Sequence, residues 1–142
     1  MQTTRTASAI LLALSLSACA TGGQFDQYRA KILNNFQDTE LKISPELTKQ
    51  AKIENARIYS AGMTINVGLD IIYPKTCSML TVVGGFYTKD GTKVSSLNGS
   101  VFTYNAREKA HLVINPTNTA PLLNMQEAIA VATLDRAECA GS

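Results

Sequence analysis

The chain has 142 residues, with 13 lysines and arginines, 11 aspartates and glutamates, three cysteines and one histidine. This length allows one domain rather than two. A formal net charge of +2 without a basic block argues against a nucleic-acid partner, and the frequent aliphatic residues argue against disorder over most of the chain.

The first 18 residues have the layout of a secretory signal peptide. Met1–Thr6 carry one cation, Arg5, and Ala7–Ala18 form an apolar run. The run is about twelve residues long, shorter than the ~20 residues that a helix needs to cross a bilayer. The sequence therefore predicts that residues 1–18 are removed and are not a permanent membrane span.

The apolar run ends in Leu16-Ser17-Ala18-Cys19. This segment resembles the lipobox of bacterial lipoproteins, in which signal peptidase II cuts before a cysteine that carries the lipid. The resemblance implies a lipid on Cys19 and, because Ala20 is not the aspartate that commonly retains such proteins in the inner membrane, a location at the outer membrane facing the periplasm. The alternative is a soluble secreted protein in which Cys19 is an odd free thiol.

Apart from Cys19, the mature chain has two cysteines, Cys77 and Cys139. An even pair in an oxidising compartment predicts a disulfide, which would close a loop of about 63 residues and stabilise the fold by about 4 kcal/mol. A redox-active or metal-binding pair is the alternative, but the sequence has no Cys-x-x-Cys spacing.

Residues 19–51 are predicted to be a lipidated tether and a short helical spacer. Four apolar side chains recur at helical steps of three and four: Phe25, Tyr28, Ile32 and Phe36. This spacing predicts an amphipathic helix near 24–37. Its apolar stripe either packs on the domain or at the membrane surface, or docks a partner protein. A second, very short helix is expected to start at Ser44-Pro45.

Residues 52–142 are predicted to form the β domain. Strict alternation from Met63 to Ile71 predicts a half-buried strand, and the doubly apolar run Met79–Tyr87 predicts a central one. Within that run, Gly84-Gly85 indicates a bulge or a close backbone approach.

Further strands follow from the turn signals in this region. Lys89-Asp90-Gly91 and Leu97-Asn98-Gly99-Ser100 predict turns. The expected strands are 53–59, 78–88, 92–97, 100–104, 109–115 and 126–135, besides the alternating one. About seven short strands predict a mainly β fold, namely an antiparallel immunoglobulin-like or transthyretin-like sandwich.

One hairpin carries a family resemblance. Val82–Val94, with Phe86-Tyr87-Thr88-Lys89-Asp90-Gly91, is similar to the hairpin of FxLyD-type immunoglobulin-like domains of bacterial surface proteins. The chain departs from that pattern because no aspartate follows Tyr87, and Asn105-Ala106-Arg107-Glu108 replaces the usual proline-glycine step. The resemblance implies a binding or spacer module.

The sequence offers no catalytic, cofactor or metal motif. His111 lies in an apparent strand and is interpreted as a surface or structural histidine. No Gly-x-Ser-x-Gly or Ser-x-x-Lys motif, calcium loop or phosphate-binding glycine loop occurs. The sequence therefore predicts a protein that is not an enzyme.

The longest stretch without periodicity, residues 115–125, is the candidate protein-binding loop. The residues proposed to form the binding surface are Tyr104, Arg107, Leu122, Leu123 and Met125. The alternative is a loop held over the edge of the core by its leucines.

Two functions are compatible with these features. The first is a non-enzymatic outer-membrane lipoprotein that is a binding or scaffold component of a cell-envelope protein assembly. The second is a periplasmic inhibitor or immunity protein that blocks a secreted or incoming hydrolase. Both predict a protein partner.

Overall fold

The computed structural model describes residues 38–61, 64–118 and 129–141. This part of the chain contains one short helix and seven strands. The elements are β1 (Glu40–Ile43), α1 (Pro45–Gln50), β2 (Lys52–Ala61), β3 (Thr64–Ile72), β4 (Cys77–Tyr87), β5 (Lys93–Tyr104), β6 (Lys109–Pro116) and β7 (Val131–Ala140).

The strands form one sheet in the order β1-β7-β4-β5-β6-β3-β2. Every pair is antiparallel except β1 with β7, which is parallel. The sheet curls so that its two edge strands, β1 and β2, approach each other, and α1 contacts both β7 and β2 at this seam. The sheet therefore forms a barrel-like roll, and α1 lies at the seam between its two edge strands.

The mainly β class predicted from the sequence is confirmed, but the arrangement differs from a purely antiparallel sandwich. A sandwich separates two sheets, whereas β6 here belongs to both halves: residues 109–114 pair with β3 and residues 115–116 pair with β5. The sheet also includes β1, which precedes residue 52, where the sequence predicted the β domain to begin.

The core lies inside the roll and is lined by alternating side chains. In β3 the apolar side chains Ile65, Val67, Leu69 and Ile71 are all buried, as the alternation predicts, and Asn66 on the opposite face is buried as well. The predicted central strand is also confirmed, because β4 pairs with β5 on one side and β7 on the other. The largest buried side chain of this strand is Phe86.

Gly84 allows β4 and β7 to approach closely. A Cβ at this position would lie 1.8 Å from the Thr133 carbonyl oxygen, and the register of the β4–β7 pair shifts between Val83 and Gly84. The predicted bulge or close approach at this glycine is therefore confirmed.

The turn predicted at Asn98-Gly99 is wrong, because both residues lie inside the continuous strand β5. A Cβ on Gly99 would lie 2.5 Å from the Val113 carbonyl oxygen of β6. The glycine is thus needed for the close contact of β5 with β6 and not for a positive φ. The other predicted turn is confirmed, since Gly91 has φ +88° between β4 and β5.

Helix α1 begins where the sequence predicts and covers the free edge of β7. The Ser44 side chain caps it by accepting a hydrogen bond of 3.1 Å from the Leu47 amide. The Gln50 side chain then donates to the Ala137 carbonyl at 3.2 Å and accepts from the Ala137 amide at 2.8 Å. These bonds occupy backbone groups that β1 leaves open beyond Ile43.

Two predicted elements are only partly comparable with the structure. The amphipathic helix near 24–37 lies outside the described residues. The last strand is Val131–Ala140, so it begins later and ends five residues later than the predicted 126–135, of which residues 126–128 lie outside the described residues. Within the described ranges, no helix has the length and hydropathy required to cross a membrane.

Candidate functional site

The disulfide predicted from the cysteine count is present. Cys77, the first residue of β4, is bonded to Cys139 near the end of β7, and their Cα atoms are 5.4 Å apart. Cys77 is buried and Cys139 is half-buried. The bond therefore joins two neighbouring strands at one end of the sheet, which we call the Cys77 end. The opposite end of β4 is the Tyr87 end.

Tyr104 is a core residue, which corrects its assignment to a binding surface. It is 3% exposed. Its hydroxyl accepts a hydrogen bond from the Tyr73 backbone amide at 2.7 Å. Two carbonyl oxygens can accept from it, that of Glu108 at 2.5 Å and that of Tyr73 at 3.0 Å. The two rings meet edge to face, with centroids 6.5 Å apart. Tyr104 thus fixes the chain between β3 and β4.

Arg107 lies in the turn between β5 and β6 and is exposed. Its amide donates to the Tyr73 carbonyl at 2.8 Å, and its φ is +68°. A positive φ is unfavourable for a residue with a Cβ. The surrounding contacts hold the backbone of Arg107 in this conformation and so determine where its side chain leaves the turn.

An open groove of about 410 Å³ lies beside Arg107, between α1 and the strand ends. We call it the basic groove. Its lining includes three cationic residues and no acidic one. The lining residues are Thr48, Lys49, Gln50, Ala51, Lys52, Ile72, Pro74 and Arg107.

The cations of the basic groove differ in whether they already form an ion pair with a carboxylate. Lys52 lies 3.2 Å from Glu54, which also binds Lys109 at 2.7 Å. The hydrogen bond from Lys109, followed by that from Lys52, lowers the pKa of the Glu54 carboxyl. In the described part of the chain, Lys49 and Arg107 form no ion pair with a carboxylate. Two groove cations are therefore available to an external anion.

A second polar cluster lies on the outer face of β2, β3 and β6. The Asp70 carboxylate accepts a hydrogen bond from the side-chain amide of Asn55 at 2.9 Å, and it contacts His111 Nδ1 at 3.0 Å. The Asn55 bond, followed by the His111 bond, lowers the pKa of Asp70. Asn55 reaches Asp70 from a bulge in β2, where its φ is +54°.

This cluster orients an imidazole without assembling a fuller catalytic arrangement in the described residues. His111 is half exposed on the sheet surface. No described serine, threonine or cysteine side chain bonds to its ring. Across the same three described ranges, no group of three or more histidine, cysteine or acidic residues is close enough to hold a metal ion.

Most of the predicted site residues cannot be compared with the structure. Leu122, Leu123 and Met125 of the candidate binding loop, and the predicted lipidation site Cys19, lie outside the described residues. Their arrangement relative to Arg107 therefore stays a prediction.

The sequence interpretation missed most of the basic groove. Lys49 and Lys52 flank the short helix, and Arg107 lies more than fifty positions further along the chain. Only the fold places them together. The one sequence signal that pointed to this region was the turn containing Arg107.

Comparison with known proteins identifies no relative: no family model, no curated protein and no solved structure matches the chain.

Proposed function

We propose that this chain is a non-enzymatic lipoprotein of the bacterial outer membrane, and that it serves as a binding or scaffold component of a cell-envelope assembly. The observation that carries the proposal is the sequence Leu16-Ser17-Ala18-Cys19, placed directly after a charged segment and an apolar run. The resemblance of Val82–Val94 to FxLyD-type domains supports a role in binding or spacing.

Two features of the folded domain support this proposal. The Cys77–Cys139 disulfide suits an oxidising compartment such as the periplasm. The basic groove offers cations that no described carboxylate neutralises, and a surface of this kind suits recognition of an anionic partner.

Metabolic labelling tests the lipid anchor. Cells that express the full chain are grown with radiolabelled palmitate, and their membranes are separated by density. We expect the label on the wild-type protein in the outer-membrane fraction and no label on Cys19→Ser. Label in neither protein, with the wild type in the soluble fraction, contradicts the anchor.

Affinity purification then separates the assembly role from the inhibitor role. The lipidated protein is purified from detergent-solubilised membranes beside Cys19→Ser, and the proteins recovered with it are identified by mass spectrometry. Several envelope proteins that are lost with Cys19→Ser support the assembly. A single stoichiometric hydrolase that stays bound to Cys19→Ser supports the inhibitor.

A further inference from the structure

We propose that the basic groove is the partner-binding site and that it takes an acidic segment of a protein, with Arg107 and Lys49 binding its carboxylates. This inference rests on the proposed function as a binding protein and deepens it. It specifies the surface, the residues and the chemistry of the partner.

The charge of the basic groove favours an anionic ligand. The groove draws its cations from α1, from the start of β2 and from the β5–β6 turn, so separate elements converge on one hollow. The lining itself carries three cations, Lys49, Lys52 and Arg107, and no acid. Of these, only Lys52 is paired with a carboxylate, that of Glu54. An anionic partner gains from this imbalance both in association rate and in orientation.

Shape and chemistry favour carboxylates on a peptide. Ala51, Ile72 and Pro74 give the groove an apolar part beside its cations. That combination fits an acidic side chain, whose methylene groups contact apolar atoms while its carboxylate meets a cation. A guanidinium such as that of Arg107 binds a carboxylate through two parallel hydrogen bonds.

The groove is also held in place before a ligand arrives. The side-chain amide of Gln50 is fixed by two hydrogen bonds to the backbone of Ala137. The backbone amide of Arg107 donates a hydrogen bond to the Tyr73 carbonyl. A preorganised site loses less entropy on binding than a flexible one. These contacts therefore favour binding even to a hollow of modest volume.

Position favours a protein over the lipid headgroups of the anchoring membrane. The chain enters the sheet at β1, where Glu40 is aligned with Val131, which in turn is aligned with Tyr87. The tether therefore joins the domain at the Tyr87 end. Arg107 lies beyond Tyr104, which is aligned with Cys77 at the other end. The groove thus lies at the opposite end of the sheet from Glu40.

The test is a binding titration with a defined probe. The full chain, purified in a nonionic detergent, is titrated into a fluorescently labelled peptide of alternating glutamate and glycine, and anisotropy is measured. The comparison ligands are the glutamine-glycine peptide and fluorescently labelled glycerophosphoglycerol, the soluble headgroup of phosphatidylglycerol. The groove variant is Lys49→Gln with Arg107→Gln. The matched control is Lys89→Gln with Lys93→Gln, which removes two lysine charges at the Tyr87 end.

We expect the glutamate peptide to bind and the glutamine peptide to bind at least about tenfold more weakly, because each carboxylate contact is a charge-assisted bond. The groove variant should lose about tenfold in affinity and the control less than about twofold. Binding should weaken as the ionic strength rises from about 0.01 M to 0.15 M, since the screening length falls from ~30 Å to ~8 Å. Unchanged urea midpoints for both variants show that neither has lost its fold.

Three results overturn the proposal. They are equal losses in the groove and control variants, an absence of peptide binding at low ionic strength, and binding to the labelled headgroup but not to the peptide. The last result assigns the groove to a lipid headgroup. None of them affects palmitate labelling of Cys19, so failure of this inference is distinguishable from failure of the proposed anchor.

Discussion

Removal of the disulfide should cost this fold a large share of its stability. Cys77 and Cys139 are 62 positions apart, and closing a loop of that size stabilises a native state by about 4 kcal/mol in the chain-entropy treatment. A small domain is stable by only about 5–15 kcal/mol in total. We therefore expect Cys77→Ala with Cys139→Ala to lower the free energy of unfolding by about 4 kcal/mol.

Urea denaturation followed by circular dichroism measures this change, with Cys19→Ser in every sample so that no third thiol interferes. The Cys19→Ser protein, with Cys77 and Cys139 intact, is unfolded with and without a reductant. Reduction should reproduce most of the loss while keeping both sulfur atoms, so the remaining difference from the double alanine variant reports packing around the buried Cys77. A loss below about 1 kcal/mol refutes the assignment of this bond as a major source of stability, as does equal sensitivity of the double variant to the reductant.

Three further predictions concern single residues. Gly84→Ala should destabilise the fold by about 2 kcal/mol or more in urea denaturation, because its Cβ would meet the Thr133 carbonyl; an unchanged midpoint contradicts the close approach. Tyr104→Phe should cost about 1–3 kcal/mol in the same assay, because it leaves the buried Tyr73 amide without its acceptor. The lowered pKa of Asp70 means that its contribution is present at neutral pH and is lost as the pH falls below about 4. Asp70→Asn should therefore flatten the acid limb of a stability–pH profile, and an identical limb refutes this role.

Local patterns were sufficient to predict several elements. The alternation from Ile65 to Ile71 places four aliphatic side chains on the core face, so it predicts β3 directly. Strand β4 is apolar on both faces, which is typical of a strand in the middle of a sheet, and it lies between β7 and β5. Ser44 followed by Pro45 identifies the start of α1, because capping depends on neighbouring residues alone.

Contacts between distant residues explain where the predictions differ from the structure. Asn98-Gly99 has the composition of a tight turn, but the requirement that selects Gly99 is the nearby backbone of β6. The parallel pairing of β1 with β7 joins residues about ninety positions apart, and no local pattern encodes it. The sequence does not show that Tyr104 is buried, because its hydrogen-bond partner, Tyr73, lies in the connection between β3 and β4.

The disulfide and the basic groove are linked through one chain of contacts. Cys77 is aligned with Tyr104 in the β4–β5 pair, the Tyr104 hydroxyl is bonded to Tyr73, and Tyr73 holds the amide of Arg107. Reduction releases the ends of β4 and β7 at this end of the sheet, where local opening costs less than global unfolding.

We therefore expect the reduced protein to lose affinity for the glutamate peptide at urea concentrations at which its circular dichroism is still that of the folded state. The same treatment should leave the Tyr87 end unaffected, because β1 is joined there to β7 by backbone hydrogen bonds independent of the disulfide. Amide hydrogen exchange distinguishes the two ends. Faster exchange confined to residues 73–77 and 104–108 supports this coupling, whereas a uniform increase across the sheet shows that the disulfide stabilises the fold without a specific effect on the groove.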